Sequence, residues 1–233
     1  MTRVLVGIPW RHQPHRVYAH DLTVQRYEEL LPDATVLDFD TEHEQFCLAG
    51  ARNLAVRFGE RVRADVIVLA DADTLPEREP LLAAIEGAAH SSVVHLPYTE
   101  YRSLRRDGTD QFLVGVPLQE CSHLVVDGAC SGVYVTTPAT WGAHGGQDER
   151  FRGWSPEDAA WMAAHTTLLG DPVRHSGRVY ALHHDSPPKT GPDHEAGYAL
   201  VYRYHQAQGD LAAMRRLIAE AETCNKSTSA TGG

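Results

Sequence analysis

Residues 66–70 read Val-Ile-Val-Leu-Ala, five apolar residues with no polar break, and they stop in Asp71-Ala72-Asp73. A run this short and this apolar has no side to turn toward water. It predicts a strand covered on both faces, as in an α/β sheet with helices on either side. The two carboxylates then stand at the carboxyl lip of the sheet, where such folds bind ligands. Hard oxygen donors there suit Mg²⁺ or Mn²⁺, and those ions in turn hold phosphates. Asp-x-Asp is also a short pattern that arises by chance and opens ordinary turns. The chain carries a second copy, Asp38-Phe39-Asp40.

The segments before this run supply the rest of half a sheet. Residues 3–9 read as a first strand, central in the sheet, ended by Pro9 and followed by Trp10-Arg11. A Trp and an Arg in that place suit a base and a phosphate; a Trp there equally caps a core. Apolar residues at helical spacing mark helices over 17–31 and 44–61, with Arg52 and Asn53 inside the second. A strand over 34–39 lies between them. The order strand–helix–strand–helix–strand predicts a parallel sheet with right-handed crossovers.

Downstream the pattern is looser. A short helix is expected over 80–89 and a strand over 92–98, then a polar excursion or hairpin over 99–120. Residues 124–126 read as an edge strand. The small-residue loop Gly128-Ala-Cys-Ser-Gly132 leads into a strand over 133–136, and residues 138–142 form a helical turn. Ser155-Pro156-Glu157-Asp158 has the form of a helix start, with Ser as cap, Pro first and acids in the first turn. A strand over 179–182 ends in His183-His184, a Pro-rich loop with Lys189 follows, and residues 195–222 read as one long helix. No repeat or long linker divides the chain, so residues 1–224 are expected to form one domain and 225–233 a disordered tail.

Composition narrows the function. The formal net charge is −10 over 233 residues, against a generally basic nucleic-acid binder. The four cysteines show no Cys-x-x-Cys, which argues against a structural zinc site. No signal peptide and no run of about 18 apolar residues is evident, which predicts reduced thiols and a cytoplasmic protein.

Three features in order carry a resemblance: the strand–helix half ending in Asp-x-Asp, the segment Arg150-Phe-Arg-Gly-Trp154 with Glu157-Asp158 behind it, and the strand ending in His183-His184. Over residues 3–194 the chain resembles the GT-A glycosyltransferases, nearest their galactosyltransferase and polypeptide GalNAc-transferase group. The resemblance implies a Rossmann-like nucleotide-diphospho-sugar transferase fold with a mostly parallel twisted sheet flanked by helices. It gives Asp71 and Asp73 to the metal, the first also to ribose, and His183 or His184 to complete the site. It places Arg52 and Asn53 near the nucleotide, Asp38 or Asp40 at base or ribose, and Pro9, Trp10, Arg11 and Trp154 around the donor. Glu157-Asp158 matches the acidic pair at the acceptor. Ser155-Pro156 replaces the usual Gly-Gly after Trp, a stiffer turn beside the acceptor pocket. With no N-terminal anchor in view, a Golgi-type enzyme is not expected.

The chemistry is consistent with that set. Two carboxylates and an imidazole suit Mn²⁺, whereas Mg²⁺ prefers oxygen alone. A cation on the donor diphosphate neutralises charge as the glycosidic bond breaks. An inverting enzyme also needs a general base for the acceptor hydroxyl, and Asp158 is the candidate, with Glu157 on an acceptor or sugar hydroxyl. Lys189 stands near the phosphates if its loop closes over the donor; the same loop also reads as an ordinary connector. The expected activity is therefore metal-dependent transfer from a nucleotide-sugar, UDP-linked by the resemblance. The acceptor is open among a small metabolite, a glycan, a protein and a hydroxylated DNA base. A nucleotidyltransferase is the alternative enzyme, but Ile8-Pro9-Trp10-Arg11 stands where its Gly-rich basic loop belongs. A non-catalytic nucleotide- or carbohydrate-binding module is the other alternative.

Overall fold

A computed structural model describes residues 2–153, 155–185 and 189–229, with side chains as far as residue 223. The first half follows the predicted alternation: β1 (Val4–Pro9), α1 (Val17–Leu30), β2 (Thr35–Phe39), α2 (Leu48–Arg61) and β3 (Val66–Ala70). Every residue of β3 is buried, as its unbroken apolar run requires. A short β4 (Thr74–Pro76) follows the Asp-x-Asp directly, then α3 (Arg78–Ala88), β5 (His95–Leu96), β6 (Glu100–Ser103), α4 (Arg105–Leu113), β7 (Leu124–Val125) and β8 (Val133–Thr136). The chain continues through α5 (Pro138–Ala143), α6 (Glu157–Leu169), β9 (Val173–Arg174), β10 (Arg178–Ala181), α7 (Pro192–Ala207) and α8 (Leu211–Ser229).

The strands form two sheets. The larger has the order β2-β1-β3-β8-β5-β9, and only β8 runs against the others. β1 is internal, between β2 and β3, while β3 holds the middle of the sheet. Small residues on α2, Ala51 and Ala55, let that helix sit close on β1 and β3 in the main core. The smaller sheet, β4-β10-β6-β7, is what brings the distant motifs together. Its pairing sets Ala181 opposite Thr74, and the Leu182 amide donates to the Asp73 carbonyl at 2.8 Å. The residues after β10 therefore arrive at the Asp-x-Asp. A second apolar cluster joins α6, α7 and α8.

Several local readings are corrected. The single helix expected over 195–222 is two helices, broken at Gly209, which sits at φ 82°. Asp210 restarts the chain by accepting the Ala212 and Ala213 amides at 2.9 and 3.0 Å, an N-cap contact that ends one helix and opens the next. The helix expected from 44 begins at Leu48, where the Cys47 side chain accepts the Gly50 amide. Residues 99–120 form β6 and α4 rather than a hairpin. At α6 the cap position is held by Pro156, and Ser155 does not cap; its buried hydroxyl has no partner. Helix α8 reaches Ser229, inside the stretch read as a disordered tail, and 230–233 lie outside the described residues. Cys47, Cys121 and Cys130 are free thiols. No helix among the described residues is long and apolar enough to cross a membrane.

Candidate active site

The site is built at the lip where β3 ends. The Asp71 amide donates to the Gly132 carbonyl at 2.8 Å, and the Thr74 hydroxyl donates to the carbonyls of both residues at 3.0 Å. The small-residue loop is thereby fastened to the Asp-x-Asp. Gly132 has φ 88°, and a Cβ on it would stand 2.8 Å from the Tyr101 ring, so this approach requires glycine.

Arg52, on α2, lies under this lip and is 1% exposed. It donates one nitrogen to the Asp71 carboxylate and another to Gln147 Oε1 at 2.9 Å. Its guanidinium lies 5.0 Å over the Tyr134 ring and 3.9 Å from Glu157 Oε1. One buried cation thus touches the end of β3, the irregular connection before α6, and the first residue of α6. Burial raises the Asp71 carboxyl above its usual range, against the pull of Arg52. Burial also raises Glu157, to about 7, with Arg52 opposing and the neighbouring Asp158 adding to the rise. Asp158 accepts the Ala159 amide at 2.8 Å, and its carbonyl faces the Cys130 thiol at 3.6 Å. Burial and the Asp158 charge push that thiol up to about 12, so it stays protonated.

Asp73 lies on the other side of the lip. Its Oδ2 is 3.0 Å from His184 Nε2, and this contact raises the His184 pKa above its ordinary value. His183 faces away. Its amide donates to the Thr109 hydroxyl at 2.8 Å, its carbonyl accepts from the Tyr18 hydroxyl, and its ring lies 3.8 Å from Asp185. Of the two histidines, His184 is the one that meets the Asp-x-Asp. Asp71, committed to Arg52, stands apart from that pair. Among the described residues no three carboxylate, imidazole or thiol side chains converge as a metal cluster. Asp73 and His184 nevertheless offer one oxygen and one nitrogen donor facing each other, a set that fits Mn²⁺ better than Mg²⁺.

The remaining candidates divide. Pro9 and Trp10 end β1, and the Trp10 ring stacks on His20 at 4.4 Å. His20 also reaches Asp38 Oδ1 at 2.8 Å, which makes a Trp–His–Asp edge at the end of β1. Arg11 and Asp40 are spent on each other: Arg11 grips the Asp40 carboxylate at 2.6 and 2.9 Å. It also donates to the carbonyls of Thr41, His43 and Glu44. Both residues fasten the loop after β2, while each side chain stays about one-third exposed, 30% for Arg11 and 35% for Asp40. Asn53 is likewise internal. Its amide donates to the Gln147 carbonyl and to Glu149, and its oxygen accepts from Trp141 and the Gln147 amide. Arg52 is correspondingly a buried organiser of carboxylates rather than an open contact surface. Lys189 is exposed, and Trp154 lies outside the described residues. The other arginines around the site each have a partner of their own: Arg102 pairs with Glu100, Arg106 with Asp185, Arg150 with Asp148, and Arg152 reaches Cys47.

Sequence reading passed over Tyr18, Tyr101, Tyr134 and Gln147, all of which surround the carboxylates. Tyr18 and Gln147 belong to no motif. Tyr134 shows only as an aromatic within a short strand, and its place over Arg52 comes from the β3–β8 pairing, Leu69 opposite Tyr134.

No protein-family profile and no curated protein sequence matches the chain. Solved structures do match its fold. The catalytic domain of Drosophila beta1,4-galactosyltransferase 7, in complex with xylobiose, superposes with a TM-score of 0.58 at 14% identity, covering 84% of this chain and 79% of that one. S. aureus TarS gives 0.52 at 16% identity over 95% of this chain and 43% of its own. GalNAc-T7 with UDP, GalNAc and Mn²⁺ gives 0.51 at 10% identity, over 95% and 55% respectively. These are GT-A structures, and the chain has the GT-A fold.

Proposed function

We propose that this chain is a metal-dependent glycosyltransferase that moves a sugar from a nucleotide-sugar, UDP-linked by preference, to an acceptor hydroxyl with inversion. The observation that carries the reading is the convergence of Asp71, Arg52 and Glu157 at the sheet lip, with Asp73 and His184 beside them. A lip of that kind serves a diphosphate on one side and an acceptor on the other. Neighbours in fold support the class: one structure of the Drosophila enzyme is a complex with manganese, UDP-Gal and xylobiose.

In this reading Asp73 and His184 hold the divalent cation, and Trp10, His20 and Asp38 border the nucleoside. When bound, the cation neutralises the diphosphate leaving group. Asp158 takes the proton from the acceptor hydroxyl while its oxygen bonds to the anomeric carbon, and the bond from that carbon to the diphosphate oxygen breaks. Glu157 accepts a hydrogen bond from an acceptor or sugar hydroxyl. A second assignment has its own support. Burial raises the Glu157 pKa to about 7, a value suited to a base at neutral pH. Reversed roles are therefore the competing form of the same mechanism.

The test is a panel of nucleotide-sugars scored by thermal shift with and without Mn²⁺, followed by hydrolysis of the best ligand and the anomeric configuration of any product. Manganese-dependent stabilisation by one nucleotide-sugar and slow hydrolysis of it are expected. Absence of stabilisation by every donor would refute the reading, and a retained anomer would remove the base from it.

A further inference from the structure

The smaller sheet ends on a strand that no described residue covers. β7 is its outer member and pairs with β6 alone. Leu124, Val125 and Val126 are 51%, 51% and 43% exposed. The pleat sends Leu124 and Val126 to one face and Val125 to the other, so a strand packed on one side would hide one of these sets. Neither is hidden. Gln111 of α4 accepts the Ser122 amide at 2.7 Å, which brings the end of that helix, where Leu113 and Val114 are exposed, close to the start of β7. These five are nearly half of the large apolar residues exposed among the described residues, a concentration that marks an interaction surface.

The register fixes which backbone groups are open. The Val126 amide donates to the Tyr101 carbonyl at 2.9 Å, and the ladder goes on to set Val125 opposite Arg102 and Leu124 opposite Ser103. Bonded and unbonded positions alternate along an antiparallel pair. Leu124 and Val126 therefore turn their amides and carbonyls to β6, and Val125 turns its own outward. His123 and Asp127 flank this segment. His123 Nδ1 donates to the Cys121 carbonyl at 2.9 Å, which leaves Nε2 on the other side of the ring. Asp127 is exposed and makes no salt bridge among the described residues. Lysines or other repelling charges ordinarily guard a free sheet edge. Here the flanking groups are a base and an acid, each two residues from Val125. A second copy laid antiparallel about Val125 sets His123 against Asp127 and Leu124 against Val126, twice over by symmetry. Val125 then meets its own counterpart and exchanges both backbone hydrogen bonds with it. The segment is complementary to itself.

We propose that β7 is a dimer-forming edge: two copies of this chain pair antiparallel through residues 123–127 and join their smaller sheets into one. The backbone of Val125, the apolar contact of Leu124 with Val126, and His123 of one copy opposite Asp127 of the other hold the pair. The interface is short, so the dimer is reversible, with a dissociation constant roughly in the micromolar to millimolar range, rather than obligate. The inference goes beyond the transferase reading and stands without it.

The test is sedimentation equilibrium of the full chain from micromolar to near-millimolar concentration, in mildly acidic buffer, where imidazole side chains in general carry charge. The wild type is expected to show a concentration-dependent mixture of monomer and dimer. Val125→Pro removes the outward amide and spares the β6 ladder, because Pro is tolerated where an edge N–H faces out. It should weaken the dimer roughly 10–100-fold, the loss for the paired backbone bonds. His123→Asp and Asp127→Lys should each weaken it alone, since like charges then meet at both ends. Mixed in equal amounts, those two variants should recover the dimer, because each end again joins opposite charges. Melting of every variant checks that it folds, and the two charge variants carry the comparison if Val125→Pro does not. A wild type that stays monomeric at every concentration overturns the inference. A dimer unmoved by Val125→Pro overturns it too, since another surface would then be in use. Charge variants that stay monomeric when mixed overturn the pairing about Val125.

Discussion

Glu157→Gln gives the most direct measure of what burial does at this site. The carboxyl is 12% exposed and is raised from 4.5 to about 7, chiefly by burial. A raised carboxylate holds its proton more tightly when folded. Below about pH 4.5 it is protonated in both states and costs nothing. Between about 4.5 and 7 the unfolded chain loses the proton first, so stability falls as pH rises. Above about 7 both states are ionised and the cost is constant. At about 1.4 kcal/mol per pH unit, the cost reaches roughly 3 kcal/mol. Gln keeps the shape and cannot ionise. The stability of Glu157→Gln relative to wild type should therefore climb by roughly 3 kcal/mol from pH 4.5 to 7.5. Urea unfolding of both proteins across that range measures it, and the histidines shared by the two proteins cancel in the difference. A difference flat with pH would refute the burial argument. A difference that falls with pH would mean that the ion pair with Arg52 outweighs desolvation.

Asp73→Asn and His184→Ala should each abolish Mn²⁺-dependent stabilisation by nucleotide in a thermal-shift assay, while His183→Ala keeps it. Loss in His183→Ala alone would invert the assignment of the two histidines. Asp158→Asn should lower turnover by roughly 10²–10⁴-fold with donor affinity unchanged, read from kcat and from nucleotide titration. Near-normal turnover there, with a dead Glu157→Gln, would reverse the two roles. Arg52→Met should cost roughly 3–5 kcal/mol in urea unfolding, because it strands a buried carboxylate. A cost below about 1 kcal/mol would show that Asp71 is solvated rather than held by Arg52.

The part of the fold legible in the sequence is the part fixed by local pattern. The apolar run of β3 and the helical spacing of α1 and α2 each carry their own signal, and the parallel half-sheet follows from their order. The smaller sheet carried no such signal. β4 is three residues long and β7 two, so pairing across the chain rather than periodicity defines them. The site shows the same division. Asp71, Asp73, Glu157 and the pair His183-His184 stand out as charged or ligating residues at element ends, and the choice of His184 within the pair comes from the fold. The functions of Arg11 and Asn53 did not, because their side chains are consumed by carbonyls and amides brought close only by folding.

Arg52 explains how two partly buried carboxylates can sit beside one cation and still differ. It donates a hydrogen bond directly to Asp71 but lies 3.9 Å from Glu157. Direct contact gives Asp71 a partner for its charge, while the longer approach leaves Glu157 with attraction and no hydrogen bond from Arg52. Desolvation raises the proton affinity of both, and the same guanidinium opposes that rise in each, by a hydrogen bond at Asp71 and by charge alone at Glu157. The third contact, Gln147 at 2.9 Å, and the Tyr134 ring below fix the guanidinium so that it cannot drift toward Glu157 and equalise the two. Lysine at this place would keep the charge and lose the fork, which removes the geometric basis for the inequality. The choice of arginine on α2 thus couples the lip of β3 to the first turn of α6.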